Sequence, residues 1–348
     1  MNWIPFAHGT CSHERHQTLK IARKRYAPLC IVIIFGVFGH ATAAQADKHN
    51  FDQWRDELRT EALAQGIKAE IFDTAFKGVV PIPRVIELDR RQPEFTMTFD
   101  QYVSRVINEK RVQEGREKYA QNVDLLNEVG KKFGVQPRFI VALWGIETGF
   151  GRHTGGFPVI DSLATLAFDG RRSYFFRKEL LVSLNILNEG HISPDRMKGS
   201  WAGAMGQNQF MPSSFARHAI DYDGDGRRDI WTSKPDVFAS TANYLAASGW
   251  RDDITWGRPV RIPDDLDLAL TGRKNKKPIG GWQKLGVRLP DGGDLPKRQL
   301  NAAIILPEKG KHSPAFLVYD NFEVILKWNR SDFFAVAVGS LADRISGR

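Results

Sequence analysis

Phe51, Trp54, Leu58 and Ala62 recur at the three-to-four spacing of one helix face, and Tyr102, Val103, Val106 and Ile107 repeat it. Residues 51–134 therefore read as a run of amphipathic helices. Pro81-Ile82-Pro83 interrupts the run, and 84–99 is mixed, which predicts a loop at a groove edge. Residues 135–250 are dense in Gly, Ala and aromatics. There Pro137, Pro212 and Pro235 suit first helical turns, and Gly249 suits a helix end. The texture changes over 252–314, where Pro, Gly and Asp turns separate β-prone pieces such as Val260-Arg261-Ile262 and Ala303-Ile304-Ile305-Leu306. Helical spacing returns over 321–326 and 333–345. The expected architecture is mainly α (α+β): a helical domain over 45–134, a core over 135–251, a small antiparallel β insertion over 252–316, and helices over 317–348 that complete the core.

The first 44 residues stand apart. Arg15, Lys20, Arg23, Lys24 and Arg25 precede the apolar run 27–38, and Ala41-Thr42-Ala43-Ala44 follows it. A basic segment, a short apolar stretch and small residues make a signal peptide over 1–44, with export to the periplasm after cleavage. The alternative is an uncleaved segment that anchors the chain to the inner membrane. Cys11 and Cys30, the chain's only cysteines, both lie in this leader, so the remainder has no thiol chemistry or disulfide. The whole chain of 348 residues carries 49 Lys+Arg against 40 Asp+Glu, a net charge of +9. Losing the leader removes five basic residues and one acid and leaves +5. Mild basicity without a clustered basic stripe suits an anionic polymer outside the cytoplasm and gives no support to nucleic-acid binding.

The most informative stretch is Gln136 through Glu147. Phe139-Ile140-Val141-Ala142-Leu143-Trp144 is apolar on nearly every face, as in a buried helix, and Glu147 ends it just before Thr148-Gly149-Phe150-Gly151. A carboxyl group emerging from apolar surroundings has its charged form disfavoured and stays protonated near neutrality, as a general acid requires. A structural Glu paired with Arg152 is the alternative. Gly199 through Ser214 is rich in small residues, and its Ser200, Gln207, Asn208 and Gln209 offer neutral groups suited to sugar hydroxyls and acetamido groups; tight helix packing with polar caps is the competing reading. In Asp221-Tyr222-Asp223-Gly224-Asp225-Gly226-Arg227, carboxylates fall at loop positions one, three and five, with Gly at six. That is the spacing of a Ca²⁺ loop, with the Arg227 carbonyl at position seven. Position twelve is Thr232 instead of the usual Glu. An Asp-Gly turn with solvated acids is the alternative.

Ala142 through Thr148, Gly199 through Ser214 and Asp221 through Trp231 resemble successive blocks of the lytic murein transglycosylase B family. So do Ala164-Thr165-Leu166-Ala167 with Arg171-Arg172, Ala242-Asn243-Tyr244-Leu245, and Trp328-Asn329-Arg330-Ser331, in the family's order from about 51 to 344. The resemblance implies a lysozyme-like core, a helical domain before it and a β domain inserted near its end. It implies that Glu147 is the acid/base and that Asp236 closes the Ca²⁺ site after Asp221, Asp223, Asp225 and Arg227. It matches Ser200, Gln209, Asn243 and Tyr244 to groove residues; with Gln207, Phe175, Trp328 and Phe334 these make the expected substrate-binding set. Three positions depart from the family. Phe334 stands where some members have a Tyr that contacts the catalytic Glu, Trp328 replaces another Tyr, and Phe175 occupies a groove position where Tyr occurs. No tyrosine hydrogen bond to Glu147 is expected from them.

The activity so implied is cleavage of the MurNAc–GlcNAc β-1,4 bond of peptidoglycan, with the muramyl C6 hydroxyl closing a 1,6-anhydro ring and one Glu serving as acid and then base. Glycoside hydrolysis normally needs a second carboxylate. The nearest downstream acids, Asp161 and Asp169, read as a helix N-cap and a turn residue, which favours the lyase. The alternatives are a muramidase and a peptidoglycan-binding protein with impaired catalysis. Peptidoglycan strands are the expected partner, no cofactor serves catalysis, and any Ca²⁺ is structural. Proteins of wall synthesis or division are candidate partners that no motif identifies, and a monomer is the default.

Overall fold

The computed structural model describes residues 40–91, 97–308, 310 and 313–347. Residues 1–39, with most of the expected leader and both cysteines, lie outside the described residues. In chain order the first elements are helices α1 (His40–Ala64), α2 (Ala69–Ala75), α3 (Pro83–Arg90), α4 (Phe99–Val106), α5 (Glu109–Gln121), α6 (Val123–Phe133) and α7 (Pro137–Thr148). Strand β1 (Phe157–Pro158), α8 (Val159–Phe168), α9 (Ser173–Asn188), β2 (Lys198–Gly199), α10 (Pro212–His218) and α11 (Lys234–Ala247) follow. The last part holds β3 (Gly257–Val260), β4 (Lys277–Pro278), α12 (Ile279–Lys284), β5 (Asn301–Ile305), β6 (Ala315–Val318), α13 (Asp320–Trp328) and α14 (Asp332–Ile345). The chain is mainly helical with small antiparallel sheets, as expected. Among the described residues no helix is long and apolar enough to cross a membrane.

The helices within 45–134 do not close a core of their own. Phe51, Leu58, Phe72 and Val85 from α1–α3 pack with Val159, Leu163, Phe176 and Leu184 of α8 and α9. Phe99, Tyr102, Val112, Leu126 and Val129 from α4–α6 pack instead with Phe139, Leu143 and Val338 of α7 and α14. A short helix with one apolar stripe must bury it against another element, and here the partners come from later in the chain. The expected loop over 84–99 is also corrected. Pro83 takes the first helical position of α3 and most of the stretch to Arg90 is helix, with Val85 fully buried.

In the insertion, four antiparallel strands lie in the order β3-β6-β5-β4, with Ala303 opposite Val318 and Ile305 opposite Phe316. Successive strand residues point to opposite faces. Ala303, Ile305, Phe316 and Val318 join Trp256 and Phe322 in the main helical core, whereas Ala302, Ile304, Ala315 and Leu317 pack with Ile279, Trp282 and Val287. The sheet is thus covered on both faces and bolted to α13 and α14. Gly339 permits that contact: a Cβ there would lie 2.1 Å from the Trp256 ring.

Helix α7 runs through the centre, with every residue from Arg138 to Thr148 buried. Pro137 opens it, and Gly149 closes it in the left-handed conformation at φ 57°, its N–H bonded to the Gly145 carbonyl. Arg138 is paired with Asp343 of α14, and Asp343 also accepts from the Trp256 indole at 2.9 Å. The last turn of α7 is therefore held from below by packing and from above by its cap. That turn carries Glu147.

Candidate active site and metal loop

Glu147 is only 7% exposed, and it opens onto a hollow of about 220 Å³. The hollow's walls come from four parts of the chain: Phe175 and Glu179 of α9, the segment Gln209-Phe210-Met211 with Ser213, Ser214 and Arg217 of α10, Tyr244 of α11, and Lys327-Trp328 at the end of α13 with Asn329-Arg330 after it. Burial pushes the Glu147 carboxyl up to about 7, and a hydrogen bond from Trp328 opposes the rise. The indole Nε1 donates to Glu147 Oε1 at 2.8 Å. The pairing with Arg152 does not form; Arg152 binds Glu114 instead. A larger hollow of about 690 Å³ lies in the β insertion beside Ile279, Leu295 and Leu300. No buried carboxylate faces it, whereas two face the smaller one, so size does not mark the chemistry here.

Trp328 is tightly held. Its ring lies 4.7 Å from that of Tyr244 and 5.2 Å from that of Phe210. The Tyr244 hydroxyl donates to the Lys327 carbonyl at 2.7 Å, tying α11 to the end of α13. Burial pushes the Tyr244 phenol up to about 12, so it remains a donor throughout the physiological range. Gln209 sits at φ 50°, uncommon for a residue other than glycine, with its side-chain amide donating at 3.0 Å to the carbonyls of Thr154 and Gly206.

The structure sorts the expected groove set into two groups. Phe175, Gln209, Tyr244 and Trp328 line the hollow, whereas Ser200, Gln207, Asn243 and Phe334 stand behind it. Ser200 is 1% exposed, and its hydroxyl accepts from the Ala202 and Ala204 amides at 3.3 and 2.9 Å. The Gln207 amide bridges the Trp144 indole at 2.7 Å and the Trp231 carbonyl at 2.9 Å. Asn243 donates to the His218 carbonyl at 3.0 Å. Phe334 is fully buried in the main core. The polar groups of Ser200, Gln207 and Asn243 are thus engaged within the protein, Ser200 by its own turn and the other two by neighbouring elements.

Sequence reasoning missed Glu179. It is 4% exposed, and its Oε2 accepts the Ser213 N–H at 2.8 Å. Burial pushes its carboxyl up, with the bonds from Ser213 and the charge of Arg217 opposing. The available signal was helical phase, since Glu179 is four residues after Phe175 on α9. The two acids weighed from sequence lie elsewhere. Asp161 is inside the first turn of α8, whose N-cap is Pro158, and Asp169 ends that helix, paired with Arg90 at 2.9 Å.

In the acidic loop, carboxylate oxygens of Asp221, Asp223 and Asp236 lie within 4.8 Å of one another. Asp236 is fully buried and accepts the Tyr222 and Asp229 amides, both at 2.7 Å. Burial pushes its carboxyl up, and the neighbouring Asp223 charge adds to that. Asp221 accepts the amides of Gly224 and Gly226 at 2.8 and 2.9 Å. Asp225, expected in the same set, turns instead to the Arg227 guanidinium at 2.8 Å. An all-oxygen donor set of this kind fits a hard cation such as Ca²⁺.

Comparison with known proteins gives a family match and close structural relatives. The family model described as "Transglycosylase SLT domain" matches residues 50–343. The chain is 32% identical over 251 residues to membrane-bound lytic murein transglycosylase B of Escherichia coli K12, across 70% of this chain and 66% of that protein. It superposes on SltB3 of Pseudomonas aeruginosa, solved with NAG-anhNAM-pentapeptide, with TM-score 0.83 and 48% identity, over 85% of this chain and 80% of that one. The Escherichia coli lytic transglycosylase Slt35, solved with calcium, gives TM-score 0.71 and 30% identity, over 85% and 92% of the two chains.

Proposed function

The chain belongs to the transglycosylase SLT domain family, and from that premise we propose that it cleaves peptidoglycan as a lytic transglycosylase. The observation that carries this reading is a buried carboxyl, Glu147, whose proton affinity is poised near neutrality at the floor of a groove. Glu147 protonates the oxygen between MurNAc and GlcNAc, and the leaving GlcNAc chain departs. The resulting carboxylate takes the proton of the muramyl C6 hydroxyl as that oxygen closes on C1. The bond broken is C1–O4′, the bond formed is C1–O6, and Glu147 ends as it began, protonated. Phe175, Tyr244 and Trp328 offer aromatic surface to sugar faces, and Gln209, Ser213 and Ser214 offer neutral hydrogen-bonding groups.

Glu179 favours one second reading, a muramidase, because hydrolysis needs a second carboxylate. Its ties argue for a supporting role: one oxygen is occupied by the Ser213 amide at the start of α10. A binding protein without turnover is the other alternative. Dye-labelled sacculi distinguish it, since the enzyme should release soluble dye whereas a binding protein would only sediment with the wall.

We propose further that Asp221, Asp223 and Asp236, with the Arg227 carbonyl, hold a structural Ca²⁺. Slt35 having been solved with calcium supports the choice of ion. The ion supplies charge balance that fixes the loop against α11. Export to the periplasm with removal of a leader over 1–44 completes the reading; the relative in Escherichia coli is described as membrane-bound. The intact mass of the exported protein reads out the cleavage.

A further inference from the structure

We infer that Trp328 is a positioning residue that dictates which oxygen of Glu147 carries the transferable proton. The inference rests on the acid/base reading of Glu147 given above. The indole Nε1 lies 2.8 Å from Glu147 Oε1, and an indole nitrogen can only donate. When Glu147 is ionised this is a charge-assisted bond. When Glu147 is protonated, its carbonyl oxygen accepts better than its hydroxyl oxygen, so the indole favours Oε1 as the carbonyl and the proton on Oε2. The same atom then gives the proton to the glycosidic oxygen and recovers it from the C6 hydroxyl. A tyrosine in this place would have a choice, because a phenol both donates and accepts and could turn to follow the proton. Trp328 removes that freedom, and its ring is held by Phe210 and Tyr244 at 5.2 and 4.7 Å.

The bond also sets the balance of the two protonation states. It strengthens as the carboxylate forms, against the burial that favours the neutral acid. The other titratable and charged groups on the hollow are Glu179 from α9, Arg217 from α10, Tyr244 from α11, Lys327 from α13 and Arg330 after it. None of these hydrogen-bonds Glu147 among the contacts described, whereas Trp328 does.

The test is a titration of Glu147 itself in the full-length protein. Glutamate side chains are labelled with ¹³C, and the Glu147 carboxyl signal is identified by its loss in Glu147→Gln, which separates it from that of Glu179. Trp328→Phe keeps an aromatic ring and removes the donor; the midpoint of Glu147 should rise by about one pH unit. Trp328→Tyr should restore part of the shift. Tyr244→Phe, which loses only the bond to the Lys327 carbonyl, should shift the midpoint the same way by less. A folded Trp328→Phe protein whose Glu147 midpoint stays within about 0.3 unit of wild type would overturn the inference, even if its kcat falls. If Trp328→Phe does not fold, the wild-type Trp328 indole N–H resonance is followed instead: it should move with the Glu147 titration, and a signal indifferent to it does the same. The titration needs no substrate, so a shift seen in a protein that yields no anhydromuramyl product would count against the proposed function and not against this role of Trp328.

Discussion

Glu147→Gln should remove wall-degrading activity by about 10²–10⁴-fold while leaving the fold intact, since the amide is nearly isosteric and cannot deliver a proton. The same substitution should change how stability depends on pH. In the folded protein the carboxyl titrates at about 7, against 4.5 for an ordinary Glu. Below pH 4.5 both folded and unfolded states are protonated, and the group costs nothing. Between the two values the unfolded chain releases its proton and the folded one keeps it, so stability falls as pH rises. Above pH 7 the folded state bears the full penalty of a buried charge, which the size of the shift puts at about 3 kcal/mol. Glu147→Gln should therefore melt higher than wild type at pH 8, and the gap should close toward pH 4. Melting curves across that range check it. Parallel curves would mean that Glu147 is not a buried, shifted acid.

Asp236→Ala should be the most damaging change in the acidic loop. It strips the partners from two amides, those of Tyr222 and Asp229, each bonded at 2.7 Å to a fully buried carboxylate. Leaving such donors unmet costs about 1–3 kcal/mol each, so a loss of about 2–6 kcal/mol is expected, several degrees of melting temperature or more. Wild type should also melt higher in millimolar Ca²⁺ than in chelator, because an ion bound only to the folded state stabilises it by mass action. Asp236→Ala and Asp223→Ala should lose that increment. Asp225→Ala should keep most of it, because Asp225 is engaged by Arg227. No calcium-dependent rise in wild type would make the loop a plain turn.

The parts of this architecture readable from sequence are those encoded locally. Residues 139–144 are apolar on every side, so the chain announces a buried helix, and Glu147 stands out at its end. Pro137, Pro212 and Pro235 mark helix starts because their fixed backbone angle and missing N–H suit only the first turn. The apolar run Ala303-Ile304-Ile305-Leu306, between turn residues, marks the strand β5, though not that both faces would be covered. What escaped depends on distant contacts. Trp328 lies 181 residues from Glu147, and nothing near either residue encodes their hydrogen bond. Glu179 follows Arg177 and Lys178, so it reads as one more solvated charge until α9 turns it inward beside Ser183 and Leu180. The division of α1–α6 between two cores escaped for the same reason: each helix shows its apolar stripe, and the stripe does not name its partner.

The central claim is that Glu147 works alone and that the muramyl C6 hydroxyl, not water, attacks C1. Digestion of sacculi in ¹⁸O-labelled water tests it most directly, with mass spectrometry of the soluble products. Anhydromuramyl ends that lack the mass of an added water and carry no label are the expected products. Labelled reducing ends as the main product would contradict it and would make Glu179, the second carboxylate on the same hollow, the group to examine as the base that activates water.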